Sequence, residues 1–437
     1  MLLEFKASNY KSFKDEFVFS MIPAPKQKGL DYSVMKVGSG KNLHKALCSA
    51  VIYGPNASGK TNIIGAIDSF KSIILRGNIR NDVNRNNPNT AAERLELIPN
   101  NLLDSPMPVK FSIAFVEEGY HIKYALEISI GNFLDSECKR KIISEKLIVN
   151  DIPIFIRDEK LVIGAIATFK TLLVNAYEKN ADNIEELARS NLNEEELFLM
   201  NGLKTMFSSK LVAIITNWLN NKLMTVYSGN AVQINHKFSG IEDKLIVMPE
   251  MYNKAIDCFG ANSGSLFYVK EGKNEIAKLY SLFRNINKGI PAEDFESYGT
   301  IRFINLFPLI GAALITGGTL IVDEFDASIH PMALMSIISA FHNDEININH
   351  AQLIFNTHNP IFLNSSVFRR DEIKFVERDE KNHTSTTYAL SDFKTVGKNG
   401  VRKNEDYMKN YFVNRYGAIK DIDFSSTFEE IAKKGEV

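Results

Sequence analysis

The chain has 437 residues, of which 45% are hydrophobic and 24% charged, and its formal net charge is −1. This length carries two or three domain-sized bodies, or one domain with a large insertion, around an ample core. The near-neutral balance excludes a global basic field for nucleic acid and leaves only a local patch for that purpose.

The first segment, LEFKASNYKSF, alternates and then turns, which predicts an edge strand or hairpin. No apolar signal-type region precedes it, so the expected address is cytoplasmic. Leu47–Tyr53 is a short apolar run of the kind that forms a strand buried on both faces. It ends in the loop GPNASGKT, and helical spacing follows. Strand, glycine loop and helix open an α/β unit.

Residues 77–105 are rich in Asn, Asp and Pro and predict an exposed loop. Residues 109–130 and 146–164 alternate around turn signals (Glu118-Gly119, Asn150-Asp151), as antiparallel strands do. From about residue 165 the pattern turns helical. Asn193 and Glu196 have capping-box spacing. Leu211, Ile214, Ile215, Trp218 and Leu219 share a helical face, as do Ile276, Leu279, Tyr280 and Phe283. The expected organisation is 1–164 as the first part of a head domain, 165–290 as a helical insertion whose stripes are internal packing, and 291–437 as the rest of the head. Ile304–Val322 is nearly long enough to span a bilayer. Its Asn305, Pro308 and Gly317-Gly318 fit a buried helix, a turn and a buried strand better. The cysteines Cys48, Cys138 and Cys258 form no CxxC and have no His at metal-ligand spacing, so no zinc site is expected.

The chemistry concentrates in a few places. Gly54–Thr61 matches G-x-x-x-x-G-K-[ST] in full, between a strand and a helix as that motif requires. Gly54, Pro55, Asn56, Ala57, Ser58, Gly59, Lys60, Thr61 and Asn62 are the candidate nucleotide ligands. Lys60 is suited to the β/γ-phosphates and the Thr61 hydroxyl to Mg²⁺. In GGTLIVDEFD an apolar strand delivers Asp323 and Glu324 at its C-terminal end, where ligands sit in α/β sheets. Asp323 suits the Mg²⁺ shell and Glu324 suits polarising an attacking water. In AQLIFNTHNP a second strand ends at Thr357-His358, and His358 is a candidate γ-phosphate contact. In FESYGTIRF, Ser297 is placed to cap the following helix, and Gly299 permits close backbone approach.

The order of these motifs resembles the ABC-type ATPases of the SMC and RecF group, and NYKSFKDEF is similar to the hairpin that opens such chains. ESYGTIRF, DEFDASIHP and NEDYMKNYFVNRYGAI resemble, more narrowly, the AAA-type ATP-binding proteins of bacterial abortive-infection and anti-phage systems, which include relatives of the OLD family. The resemblance implies a P-loop NTPase of α/β class with an ABC/SMC-head-like mixed sheet and an antiparallel N-terminal lobe. It implies ATP and Mg²⁺ bound between the phosphate loop of one subunit and Ser297, Gly299 and Thr300 of another. Asp326 and Ser328 would then lie in the loop crossing that interface. It further implies a homodimer or higher homo-oligomer and a separate effector protein, with a Toprim-like nuclease as one candidate, and no membrane. Tyr298 and Thr300 stand where transporter ATPases carry a double glycine. No Mg²⁺-sensing glutamine is placed, and no heptad arm is present. Asp421-Ile422-Asp423, the only late Asp-x-Asp, lies in a polar tail without a strand pattern, so no built-in nuclease is expected. Arg369-Arg370 and Lys394–Lys403 are the candidate basic surface for nucleic acid. The alternatives are a RecF-like DNA-repair ATPase, an OLD-like ATPase working with a nuclease, and a scaffold that binds nucleotide without turning it over.

Overall fold

A computed structural model of the chain describes residues 1–25, 27, 29–38, 40, 43–80, 97–100, 107–131, 140–227, 245–260, 265–270, 277–283, 288–395, 400–402, 405–420 and 422–434. Its centre is the strand Ser49–Tyr53, buried at every position. A strand covered on both faces has no polar side, which is why SAVIY reads as one continuous run. On one edge it pairs in parallel with Gln352–Asn356, which pairs with Thr319–Val322, and Leu223–Val226 closes that side. On the other edge come Ile373–Arg378, parallel, and Ser385–Ala389, antiparallel. These strands form a six-stranded mixed sheet.

The helix Lys60–Arg76 lies between this sheet and a second one. Its Ile63, Ile67, Phe70 and Ile74 share a core with Phe5, Phe111 and Tyr124. The Phe70 ring is 5.9 Å from Phe5 and 5.4 Å from Phe111. Burial of such side chains, about 1.5–3 kcal/mol each, fixes the helix against the sheet. The second sheet has seven antiparallel strands, in the order Leu161–Ile163, Ile152–Arg157, Lys141–Val149, Tyr120–Ser129, Val109–Glu117, Leu2–Ser8, Phe17–Ser20. Leu2–Ser8 is therefore an inner strand, and Phe17–Ser20 takes the edge. Gln352 ties the two sheets together. Its side chain accepts from Leu2 N at 2.6 Å and donates to the Leu2 carbonyl at 3.0 Å.

The opposite face of the central sheet is covered by the helices Tyr298–Thr316 and Pro331–Phe341, whose Leu306, Ile310, Leu334 and Ile338 pack on Val51, Leu320 and Val322. Tyr298–Thr316 is, by length and composition, the one helix among the described residues able to cross a membrane. Here it is a core helix with Arg302 and Asn305 buried, and Gly317 turns it into the strand Thr319–Val322.

Several expectations need correction. The segment 165–290 is helical in its first part and again at Glu250–Phe259, and carries strands elsewhere. Leu223–Val226 is a strand of the central sheet, and Leu245–Val247, Ser265–Lys270, Ala277–Phe283 and Lys288–Pro291 build a separate four-stranded antiparallel sheet. Leu279 and Tyr280 thus lie in a strand. Its inward positions include Ser281, which donates to Glu296 at 3.3 Å, so apolar alternation is lost and the spacing imitates a helix. Ile276 lies outside the described residues. Asn193 does not start a helix. Its side chain accepts from Glu195 N at 2.8 Å in a local turn, and the next helical segment begins at Leu199. The buried Glu145 carboxylate accepts the amides of Phe198 and Leu199, both at 2.8 Å.

Of the loop 77–105 only 77–80 and 97–100 are described, and there Ile79, Leu97 and Asn100 are buried. Arg369 and Arg370 are not a basic surface either. Arg369 forms two bonds to Asp371, at 2.9 and 2.8 Å, and Arg370 donates to the Leu390 carbonyl at 3.0 Å, both side chains being buried. Lys398, Lys403 and Asp421 lie outside the described residues.

Candidate functional site

The glycine loop leaves the strand Ser49–Tyr53 and enters the helix Lys60–Arg76 directly. A Cβ on Gly54 would lie 2.3 Å from the Val376 carbonyl oxygen, and one on Gly59 would lie 2.7 Å from Ser12 Oγ. Ala57 and Gly59 both have positive φ, 61° and 111°. Such turns aim successive amides into one concavity, the arrangement that holds phosphate oxygens. Ser58 Oγ is buried without a hydrogen-bond partner. Lys60 Nζ donates to the carbonyls of Gly54 at 2.7 Å and Pro55 at 3.0 Å. Burial lowers this ammonium toward about 8, with Asp323, Glu324 and Asp326 opposing the shift. Phosphate groups in the loop would restore a full counter-charge.

Beside the loop, Thr61 Oγ1 donates to Asp323 Oδ1 at 3.1 Å. Asp323 is buried, and Asn356 donates to the same carboxylate oxygen. Asn356 also accepts from Glu324 N at 2.5 Å, while Arg302 donates to the Glu324 carbonyl at 2.5 Å. These two bonds hold Glu324 at φ 51°, a left-handed conformation that costs a non-glycine residue roughly 1–3 kcal/mol and is typical of functional turns. The Glu324 side chain is exposed toward the cavity it helps to line. His358 lines the same cavity, and its pKa is lowered by burial and by Lys60 against the pull of the nearby acids. That direction favours the neutral imidazole.

The cavity measures about 480 Å³ and is floored by Asn56, Ala57, Ser58, Gly59, Lys60, Thr61 and Asn62. Its rim adds residues that the motifs alone did not reveal: Lys11 and Ser12 from the N-terminal turn, Ile98 and Pro99, Asn356, and Arg378 with His383. Asn62 Nδ2 donates to Ser12 Oγ at 2.8 Å, and Arg378 donates to the Ala57 carbonyl at 3.4 Å. Lys11 and Ser12 sit inside the quoted NYKSF segment, so a local signal for them existed. Asn356, Arg302, Arg378 and His383 carry no local signal. Asn356→Leu would take one of two donors from the buried Asp323 carboxylate and leave the Glu324 amide without its acceptor, and should lower stability by about 1–3 kcal/mol. A lower urea midpoint at unchanged slope is the measurement.

Ser297, Gly299 and Thr300 do not line this cavity. Ser297 is exposed and caps the helix Tyr298–Thr316, accepting from Thr300 N at 3.1 Å. Thr300 is buried, with its hydroxyl 2.8 Å from Ser297 Oγ. Gly299 makes its close approach within the chain, since a Cβ there would lie 2.0 Å from the Ser328 carbonyl oxygen. Ser328 itself has φ 62°, so the turn has little freedom to retreat. Gly299→Ala should cost about 1–3 kcal/mol by overpacking. It should appear as a lowered thermal midpoint, together with a displaced 326–328 turn in a structure of the variant.

A parallel-stranded core, a phosphate-type loop at the end of its central strand, and an acidic pair just after the next strand but one define a P-loop protein of mixed α/β architecture. The chain belongs to the family described as "AAA domain, putative AbiEii toxin, Type IV TA system", whose family model matches residues 49–364. It is thus an AAA-type, ATP-binding protein of the abortive-infection group. A search of the curated proteins finds no match.

Proposed function

We propose that the protein is a Mg²⁺-dependent ATPase that binds ATP between two copies of itself, in an ABC/SMC-head-like arrangement. In this reading it acts in the cytoplasm as the sensor or scaffold of an abortive-infection system and controls a separate effector. The observation that carries the reading is a cavity floored by the glycine loop and lined by Thr61 and Glu324, with the buried Asp323 hydrogen-bonded to Thr61, while Ser297 stands exposed outside its lining.

The oxygen donors of Thr61 and Asp323 suit a hard cation such as Mg²⁺. When bound, that ion would supply positive charge against the phosphates. The loop amides and Lys60 orient the phosphates. Glu324 accepts a proton from a water in line with the γ-phosphate, and neutral His358 donates a hydrogen bond to that group. Ser297, at the start of a 19-residue helix, offers its hydroxyl and the helix N-terminus to the neighbour's γ-phosphate. Family membership supports nucleotide binding and the toxin–antitoxin or abortive-infection context.

The test is sizing of the purified chain with and without Mg²⁺-ATP, alongside phosphate release. An ATP-dependent dimer and Mg²⁺-dependent release are the expected results. A monomer in saturating ATP would overturn the shared site, and bound ATP without release would reduce the protein to a nucleotide-binding scaffold.

A further inference from the structure

Cys48, His342 and Glu372 meet at the end of the central sheet opposite the glycine loop, and all are buried. The fold collects them from three segments. Cys48 precedes the strand Ser49–Tyr53, His342 closes the helix Pro331–Phe341, and Glu372 precedes the strand Ile373–Arg378. One sulfur, one imidazole nitrogen and one carboxylate oxygen lie within 4.8 Å of one another. His342 Nε2 is 3.3 Å from Glu372 Oε1. The Ser49 hydroxyl touches both, at 2.8 Å from the imidazole and 2.7 Å from the carboxylate.

Zinc is held tetrahedrally at about 2.0–2.1 Å from nitrogen and oxygen and about 2.3 Å from sulfur, which sets neighbouring ligand atoms about 3.3–3.6 Å apart. His342 and Glu372 already have that spacing. The other Glu372 oxygen accepts from Arg369 N at 2.7 Å, an outer contact that fixes the carboxylate as metal sites require. The thiol has the weakest engagement of the cluster, a 3.7 Å contact to the Tyr32 carbonyl.

We propose that Cys48 Sγ, His342 Nε2 and a Glu372 carboxylate oxygen form a structural zinc site, closed by the Ser49 hydroxyl or a water. Thiolate with imidazole selects Zn²⁺ over Mg²⁺, which prefers oxygen. Loading is balanced. Zn²⁺ enters, the Cys48 thiol releases one proton to solvent, and the proton that His342 Nε2 shares with Ser49 Oγ moves to Nδ1, which frees the Nε2 lone pair for the metal. The Ser49–His342 hydrogen bond gives way to the metal bond. Thiolate and carboxylate together cancel the two positive charges, so no net charge is buried. The expectation of no zinc site rested on local spacing, and the His and Glu ligands are remote from Cys48 in the chain.

The probe is Co²⁺ added to the full chain after chelator treatment, in a background with Cys138→Ser and Cys258→Ser. One Co²⁺ per chain is expected, with thiolate-to-metal absorption in the near ultraviolet and the intense visible bands of tetrahedral cobalt. One equivalent of Zn²⁺ should erase both. Cys48→Ser should abolish the thiolate band, and Ser49→Ala should weaken binding by about 10–100-fold. Absence of the thiolate band in the parent overturns the proposal whether or not the variants fold, and so does a band that survives Cys48→Ser. Neither outcome bears on the nucleotide site, which lies at the other end of the sheet.

Discussion

Glu324→Gln should hold ATP as the parent does and release phosphate about 10²–10⁴-fold more slowly, the range a positioned general base contributes. The backbone of residue 324 is fixed by Asn356 and Arg302, so an isosteric amide keeps the turn and loses only the proton acceptor. The phosphate-binding loop is untouched, and fluorescent-nucleotide titration should give an unchanged affinity. On the shared-site reading, the variant should also persist as a dimer in ATP, because the step that ends association is blocked. Single-turnover phosphate release decides the matter. A parental rate would remove Glu324 as the base and move attention to His358.

Ser297→Arg should abolish turnover and ATP-driven association while leaving nucleotide binding by the single chain intact. Ser297 lies outside the cavity lining, so the substitution leaves the floor of that cavity unaltered. It places a long guanidinium where a neighbour's γ-phosphate would approach. Loss of the cap to Thr300 N costs only about 0.5–2 kcal/mol, too little to unfold the chain. Ser297→Asn, which preserves a capping side chain, is the control for that cost. Unchanged turnover in the arginine variant would show that the signature helix takes no part in hydrolysis.

The elements legible in the sequence are those whose information is local. Gly54–Thr61 carries its own geometry in its glycines, and the runs SAVIY and TLIV announce strands covered on both faces. Asp323 and Glu324 follow such a run directly, so their place at a strand end is forced. The bonds that set their conformation come from Asn356 and Arg302, each on a different element, and no spacing rule reaches that far. The misread strand Ala277–Phe283 has a related cause. Its inward Ser281 is satisfied by Glu296, and a buried polar group with a partner looks exposed to any pattern based on hydrophobicity. Glu145 misleads in the same way, capping from a β-strand a helix start that sequence spacing assigned to Asn193.

The position of Ser49–Tyr53 also constrains how the chain is made. Both of its sheet partners, Gln352–Asn356 and Ile373–Arg378, lie about 300 residues or more further along the chain. At about 5–20 residues per second, the ribosome needs roughly 15–60 s to add the ~300 residues that separate this strand from its first partner. Throughout that interval a mostly apolar strand has two unpaired edges, and the glycine loop has no rigid base. A ribosome stalled before residue 350 would leave a sticky, inactive nascent chain and a natural chaperone client. Nucleotide competence therefore waits for Gln352–Asn356 and Ile373–Arg378, and a product truncated before them lacks the base of the glycine loop.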